Sequence, residues 1–165
     1  MALNPAKLVL NKLPALLAGL KNLHSDVLVG VPNDTTGRKT VPGEKQAMNN
    51  ATLAYIHDNG SPAANIPARP FMKPGVEEVH ERIVKTLEKG AQAALHNNPE
   101  GVERALGIAG LTAQSSVRRV INAGIEPGLA DSTIAARKAR GRTGTKPLID
   151  TGQLRNSINY VVRKK

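Results

Sequence analysis

Apolar residues recur at helical spacing in the first third of the chain. Residues 4–22 place Leu8, Leu13, Leu16, Leu17 and Leu20 after Asn4-Pro5, an N-cap and first-turn pair, and this pattern predicts an amphipathic helix. Residues 50–57 predict two further helical turns. Asn59-Gly60 closes them, because glycine readily adopts the left-handed conformation that ends helices.

The middle of the chain carries the clearest helical periodicity. Apolar and charged positions alternate in helical rhythm from Val76 to about His96, and the rhythm resumes from Pro99 to Ala123 before Gly124. Asn97-Asn98-Pro99 breaks the pattern, which predicts either a helical hairpin or one long helix kinked at Pro99. A short helix is predicted from Asp131 to Arg140.

Two short segments have strand patterns. Residues 26–32 hold an apolar run stopped by Pro32, and residues 157–163 alternate apolar with polar side chains. If these strands pair as a small antiparallel sheet, the fold class is α+β. Residues 33–49 and 124–149 lack periodicity and predict two long loops, and the length of 165 residues predicts a single domain over 1–165.

Composition removes several classes of function. Cysteine is absent, so thiolate metal sites, iron–sulfur clusters and thiol nucleophiles are excluded. The four histidines lie on separate segments without the spacing of a helical metal site. Neither a phosphate loop nor a Gly-x-Ser-x-Gly motif occurs. We therefore predict no catalytic residue, no cofactor and no metal, with Asp150 interpreted as an N-cap of the following turn.

Positive charge is concentrated at the end of the chain. The formal net charge is +10, and residues 118–165 hold 11 Lys/Arg against 3 Asp/Glu. This asymmetry favours an acidic partner, either nucleic acid or the acidic face of another protein. The residues predicted to make that contact are Arg137, Lys138, Arg140 and Arg142, although interleaved aromatics and nucleic-acid recognition motifs are missing.

The apolar stretch from Leu8 to Leu20 predicts neither a membrane span nor a signal peptide. Asn11, Lys12 and Pro14 interrupt it, and no small-residue cleavage site follows in the required order. The expectation is a protein without membrane contact that stays in the cytoplasm in which it is made.

Two segments that contain rigid prolines carry no catalytic or metal-binding motif. They are Ile66-Pro67-Ala68-Arg69-Pro70-Phe71 and Lys146 to Leu154. Together with Ala54 to Gly60 upstream, Pro127 to Thr133 between them and Ser157-Ile158 downstream, they resemble the tail-completion, or virion morphogenesis, proteins of tailed bacteriophages. That family overlaps with the neck proteins that join head to tail. The resemblance spans about residues 50–163 and keeps the order of the motifs.

The resemblance implies a non-catalytic structural protein. It implies a homo-oligomeric ring, expected to have six copies, in the neck or at the head-proximal end of the tail, where it contacts other neck and tail proteins. The residues then predicted at or beside subunit or partner interfaces are Arg69, Pro70, Phe71, Pro147, Leu148, Asp150, Thr151, Gly152, Leu154 and Arg155.

Three alternatives stay open on the sequence. Phe71 and Leu154 can instead be ordinary core residues. The chain can be a basic DNA-binding accessory protein whose last third binds phosphate; non-specific contact with DNA in a channel belongs to the ring interpretation. A hydrolase acting in virion maturation through Asp150 is the third interpretation.

Overall fold

The computed structural model describes residues 25–33 and 48–164. The helix predicted at 4–22 and most of the loop predicted at 33–49 lie outside the described residues. Six α-helices, one short 3-10 turn and two strands make up the described part, in the order β1, α1 to α6, β2. The α+β class predicted from the pattern is confirmed.

The two strands pair as a small antiparallel sheet. β1 is Ser25–Gly30 and β2 is Asn159–Lys164. The Nη2 atom of Arg163 lies 3.0 Å from Oδ2 of Asp26 and joins the strands by an ion pair. Predicted at 157–163, the second strand starts later because Ser157 still belongs to the helical turn before it.

Local signals set the bounds of several helices. α1 spans Asn50–Asn59, with the Asn49 side chain accepting from Thr52 N and Gly60 as the C-cap at φ 80°. α4 spans Pro99–Ala123, as predicted. The helix predicted near Asp131 is α5, Asp131–Ala139, and the last turn is α6, Gln153–Ser157.

The single helix predicted at 76–96 is two helices. α2 is Met72–Glu77 and α3 is His80–Leu95. The Asp58 carboxylate accepts hydrogen bonds from the amides of Phe71 and Met72 at 2.7 and 3.1 Å, so it determines where α2 begins. The turn at residues 78–79 separates the helices, because Val79 N donates to Val76 O in a tighter pattern than α-helix.

α3 and α4 form an antiparallel hairpin, which decides between the two predicted arrangements. Asn97 takes a left-handed conformation at φ 53° in the turn between them. A Cβ added to Gly90 would lie 2.9 Å from the Cβ of Ala105, and one on Gly101 would lie 2.8 Å from that of Ala93. Small residues therefore bring the two helix axes close together.

The described residues divide into two compact units. The hairpin unit contains residues 25–28, 80–112 and 161–164, and the core unit contains residues 29–33, 48–79 and 113–160. α4 contributes its residues up to 112 to the first unit and the remainder to the second. The single domain expected over 1–165 stays a prediction.

The main hydrophobic core lies in the core unit. Phe71, Val117, Ile121 and Ile158 have no exposed surface, and Ala54 and Leu154 join them. Gly75 permits the close approach of α2 to α4, because a Cβ there would lie only 2.7 Å from Val117 Cα. On the polar side, Gln114 and Arg118 of α4 donate to Ile158 O at 3.0 and 2.6 Å, which ties the chain entering β2 to α4.

Candidate functional site

Arg69 is a buried internal contact of the core unit. The backbone at Arg69, just after Pro67 and Ala68, is fixed because Arg69 N donates to His57 O at 2.7 Å. Nε and Nη2 then donate to the carbonyls of Pro127 and Gly128, each at 2.7 Å, and the residue is only 6% exposed. The guanidinium thus attaches the loop after α4 to the segment after α1.

Phe71 and Leu154 point into the core of this chain. Phe71 is fully buried and Leu154 is 8% exposed. Both side chains belong to the hydrophobic core, and their position at or beside an interface stays a prediction. Pro70, the neighbour of Phe71, is exposed and remains available at the surface.

The basic loop, residues 140–150, is organised around Arg137. The Nη1 atom of Arg137 donates to the carbonyls of Gly144, Lys146 and Ile149 at 2.9, 3.0 and 2.9 Å. Its Nε lies 3.7 Å from Oδ1 of Asp150, and the residue is 7% exposed. Nη1 carries two hydrogens, so the three carbonyls share them, and the buried guanidinium is the common contact that holds the loop together.

The four basic residues predicted to contact an acidic partner therefore have different surroundings. Arg142 pairs with the Asp150 carboxylate and is partly buried. Lys138 and Arg140 are exposed on the end of α5, with Arg140 Nε bonded to Ala136 O at 3.0 Å. Two of the four cations are thus committed within the chain, and two face solvent.

Asp150 receives these two arginines and does not cap α6. The N-cap of α6 is Gly152 at φ 77°, and Gln153 N approaches Thr151 Oγ1 at 3.4 Å. The N-cap role predicted for Asp150 is therefore wrong, because the helix begins too far along the chain for its carboxylate to reach the first amides. An ion pair with each of two arginines occupies the carboxylate instead.

The other predicted interface residues near Asp150 belong to the core unit and differ in burial. Pro147 and Gly152 are buried, and Leu148 packs against the hydrophobic core. Thr151 is exposed, and Arg155 Nη1 donates to Asn122 Oδ1 at 3.1 Å. This segment mainly joins the basic loop to α4 and α6.

An open groove of about 890 Å³ lies beside Arg69. Its wall is formed by the end of α1 and the segment after it, with His57 and Ile66, and by the loop before α5 and the first turn of α5, with Leu129 and Thr133. Burial lowers the pKa of His57, and the Arg69 guanidinium lowers it further. His57 Nδ1 is also buried without a hydrogen-bond partner, and burial of an imidazole disfavours its charged form.

The hairpin unit exposes large apolar side chains that the sequence analysis did not single out. Leu87 and Leu95 of α3 are 39% and 40% exposed, and Ile108 and Leu111 of α4 are 48% and 55% exposed. The sequence feature that indicates which side of each helix is inside is its set of small residues, since Gly90, Ala94, Ala105 and Ala109 are buried at helical spacing. Small residues make the helix contact, and the larger ones are left outside.

Residues 80–112, which form the hairpin, are also balanced in charge. They contain four acidic residues and four basic ones, in a chain whose net charge is +10. None of the eight side chains forms an ion pair with another described residue. The exposed apolar positions thus lie in a segment that does not repel another copy of itself by net charge.

Two properties of the described residues limit the kinds of site they can form. Within residues 25–33 and 48–164, no group of three His, Asp or Glu side chains could hold a metal ion. Over the same ranges, none of the helices combines the length and the apolar character that crossing a bilayer requires.

Comparison with known proteins leaves the family open. No family model matches the chain, and no solved structure matches it. A stretch of 44 residues is 41% identical to an uncharacterized protein of Methanocaldococcus jannaschii, covering 27% of this chain and 33% of that protein. The chain thus matches about a third of the length of this curated relative, and the similarity assigns no fold or activity.

Proposed function

We propose that this chain is a structural virion protein of a tailed bacteriophage. Copies of it form a ring, expected to have six members, in the neck or at the head-proximal end of the tail. There the ring joins head-completion and tail components, after assembly in the host cytoplasm. The proposal rests on the order of motifs over residues 50–163 and on one structural observation, the exposed apolar side chains of the hairpin unit.

The hairpin favours association with other copies of this chain. Exposed leucines and isoleucine on a monomer lower their free energy when a partner covers them, by about 25 cal/mol for each Å² of apolar surface removed from water. A second copy fits this surface because residues 80–112 carry equal numbers of acidic and basic side chains. The strongly basic residues 118–165 lie outside that segment.

The internal bonding of the basic loop also bears on the alternative function. A DNA-binding accessory protein needs cations that reach phosphate. Of the four predicted cations, Arg137 and Arg142 bond to this chain, which leaves Lys138 and Arg140. The structural role therefore draws more support than DNA binding does.

The deciding experiment measures the assembly of the full chain. Native mass spectrometry and negative-stain imaging give its subunit number and symmetry, and mass spectrometry of purified phage particles detects the chain in the virion. We expect a closed ring that is present in mature particles. A chain that remains monomeric at every accessible concentration, or that is missing from purified particles, would overturn the proposal.

DNA binding is tested on the same preparation. Duplex affinity is measured against salt for the wild type and for Lys138→Ala/Arg140→Ala. Strong binding that weakens steeply with salt and disappears in the variant, with no ring formed, would favour the alternative function.

A further inference from the structure

The two sides of the hairpin differ in chemistry. Gly90 of α3 and Ala105 of α4 face each other, which defines the inward direction of each helix. Turning by about 100° per residue from Gly90 places three exposed apolar residues on one side of α3. We call this side of the hairpin the apolar face, with the exposed members Val84, Leu87 and Leu95.

The opposite side of the hairpin is basic. Counted from Gly90 at the same 100° per residue, Arg82 and Lys89 of α3 lie on the side opposite the apolar face. Counted from Ala105, Arg104, Ile108 and Leu111 of α4 lie on the side of these cations. In an antiparallel pair, the same sense of rotation about both helices leads to one side of the pair. We call this side the basic face, with the members Arg82, Lys89, Arg104, Ile108 and Leu111.

The two faces complement one another. Glu88 and Glu103 lie at the outer edges of the apolar face, and both are exposed without an ion-pair partner among the described residues. The three cations of the basic face also lack such a partner in the part of the chain that the structure describes. Their aliphatic stems can cover apolar side chains while their charged ends reach the glutamates.

Packing of like faces is less favourable. Two basic faces would bring six cations together, with only Ile108 and Leu111 of each copy to offset their repulsion. Two apolar faces would leave both basic faces uncovered and would stop at a dimer. Contact between the apolar face of one copy and the basic face of the next satisfies both sets of groups and repeats along the assembly.

We infer that copies of this chain assemble head to tail, with the apolar face of one hairpin packed on the basic face of the next. This inference rests on the proposed function and specifies its subunit contact. Such a contact between unlike surfaces produces a ring when the rotation between copies closes and a filament when it does not. Every copy then uses both faces of residues 80–112.

The test uses two full-length variants, one for each face. Leu87→Lys damages the apolar face and Leu111→Lys damages the basic face, and Gln92→Lys adds the same charge at an exposed position away from both. Circular dichroism verifies that each variant keeps the wild-type helical signal. Analytical ultracentrifugation then measures assembly of each variant alone and of an equimolar mixture.

Head-to-tail packing predicts a specific result for the mixture. Each face variant alone loses its assembly, with affinity between copies falling on the order of tenfold or more, and Gln92→Lys assembles like the wild type. Mixing the two variants restores one intact contact, between the apolar face of Leu111→Lys and the basic face of Leu87→Lys. The mixture therefore forms a 1:1 complex and nothing larger.

Other outcomes overturn the inference. If like faces pack together, one variant assembles alone and mixing forms no new species. If both variants assemble like the wild type, the hairpin makes no contact between copies. In these two cases the wild-type ring, and with it the proposed function, can stand, whereas a monomeric wild type rejects both.

Discussion

Replacing Phe71 with alanine separates a core residue from an interface residue. Phe71 has no exposed surface and lies among Val117, Ile121 and Ile158. Truncating a fully buried phenylalanine costs about 3–5 kcal/mol through lost apolar burial and the cavity left behind. For a chain of this size, each kcal/mol lowers Tm by about 2–4 °C, so we expect Tm to fall by roughly 6–20 °C.

The assay is calorimetry or circular dichroism at one fixed chain concentration, because assembly itself raises the apparent Tm. Tyr55→Ala is the matched control, since this aromatic residue is 71% exposed and its loss should change stability by no more than about 0.5 kcal/mol. A Phe71→Ala chain that keeps the wild-type Tm but no longer assembles would refute the core placement and support the interface assignment.

Three further predictions concern the core unit. Arg137→Lys should destabilise it by about 1–3 kcal/mol and speed amide exchange in the basic loop, because lysine is one bond shorter and its ammonium does not reach the position of Nη1 between the three carbonyls. Lysine also has no second nitrogen to face Asp150; unchanged exchange would contradict this. Gly75→Ala should cost about 1–3 kcal/mol in urea unfolding, since its Cβ would meet the backbone of Val117, and wild-type stability would refute the close packing. The pKa of His57 is lowered below 6.5 by burial and then by Arg69, so the unfolded chain binds the proton more readily. Stability should fall as pH drops through 6.5 towards the folded pKa, and a His57→Gln chain with the same pH dependence would disprove this.

The interface assignments illustrate where sequence reasoning reached its limit. Arg69 and Phe71 stand in a proline-braced segment, and that pattern is compatible with either a docking loop or a structural brace. The structure places Arg69 on the carbonyls of Pro127 and Gly128 and places Phe71 in the core. These contacts join residues far apart in sequence, so no local pattern contains them.

The basic loop shows the same limit for charge. A run of cations in the last third indicates an acidic partner, but the count does not distinguish a solvated arginine from a buried one. Arg137 donates to carbonyls of the basic loop, and the chain returns towards Arg137 after Gly141, which has a positive φ. Lys138, the next residue on α5, remains exposed.

The sequence by itself determined the α+β class, the two strands, and the ends of helices such as α1 and α4. Gly60, Pro99 and Gly124 act within a few residues, through backbone conformation and through hydrogen bonds that a helix end must satisfy. Only the tertiary structure decided which side of each helix is inside. In the hairpin, Gly90 and Ala105 face each other because small side chains let the helices approach closely, and that approach leaves the larger leucines exposed.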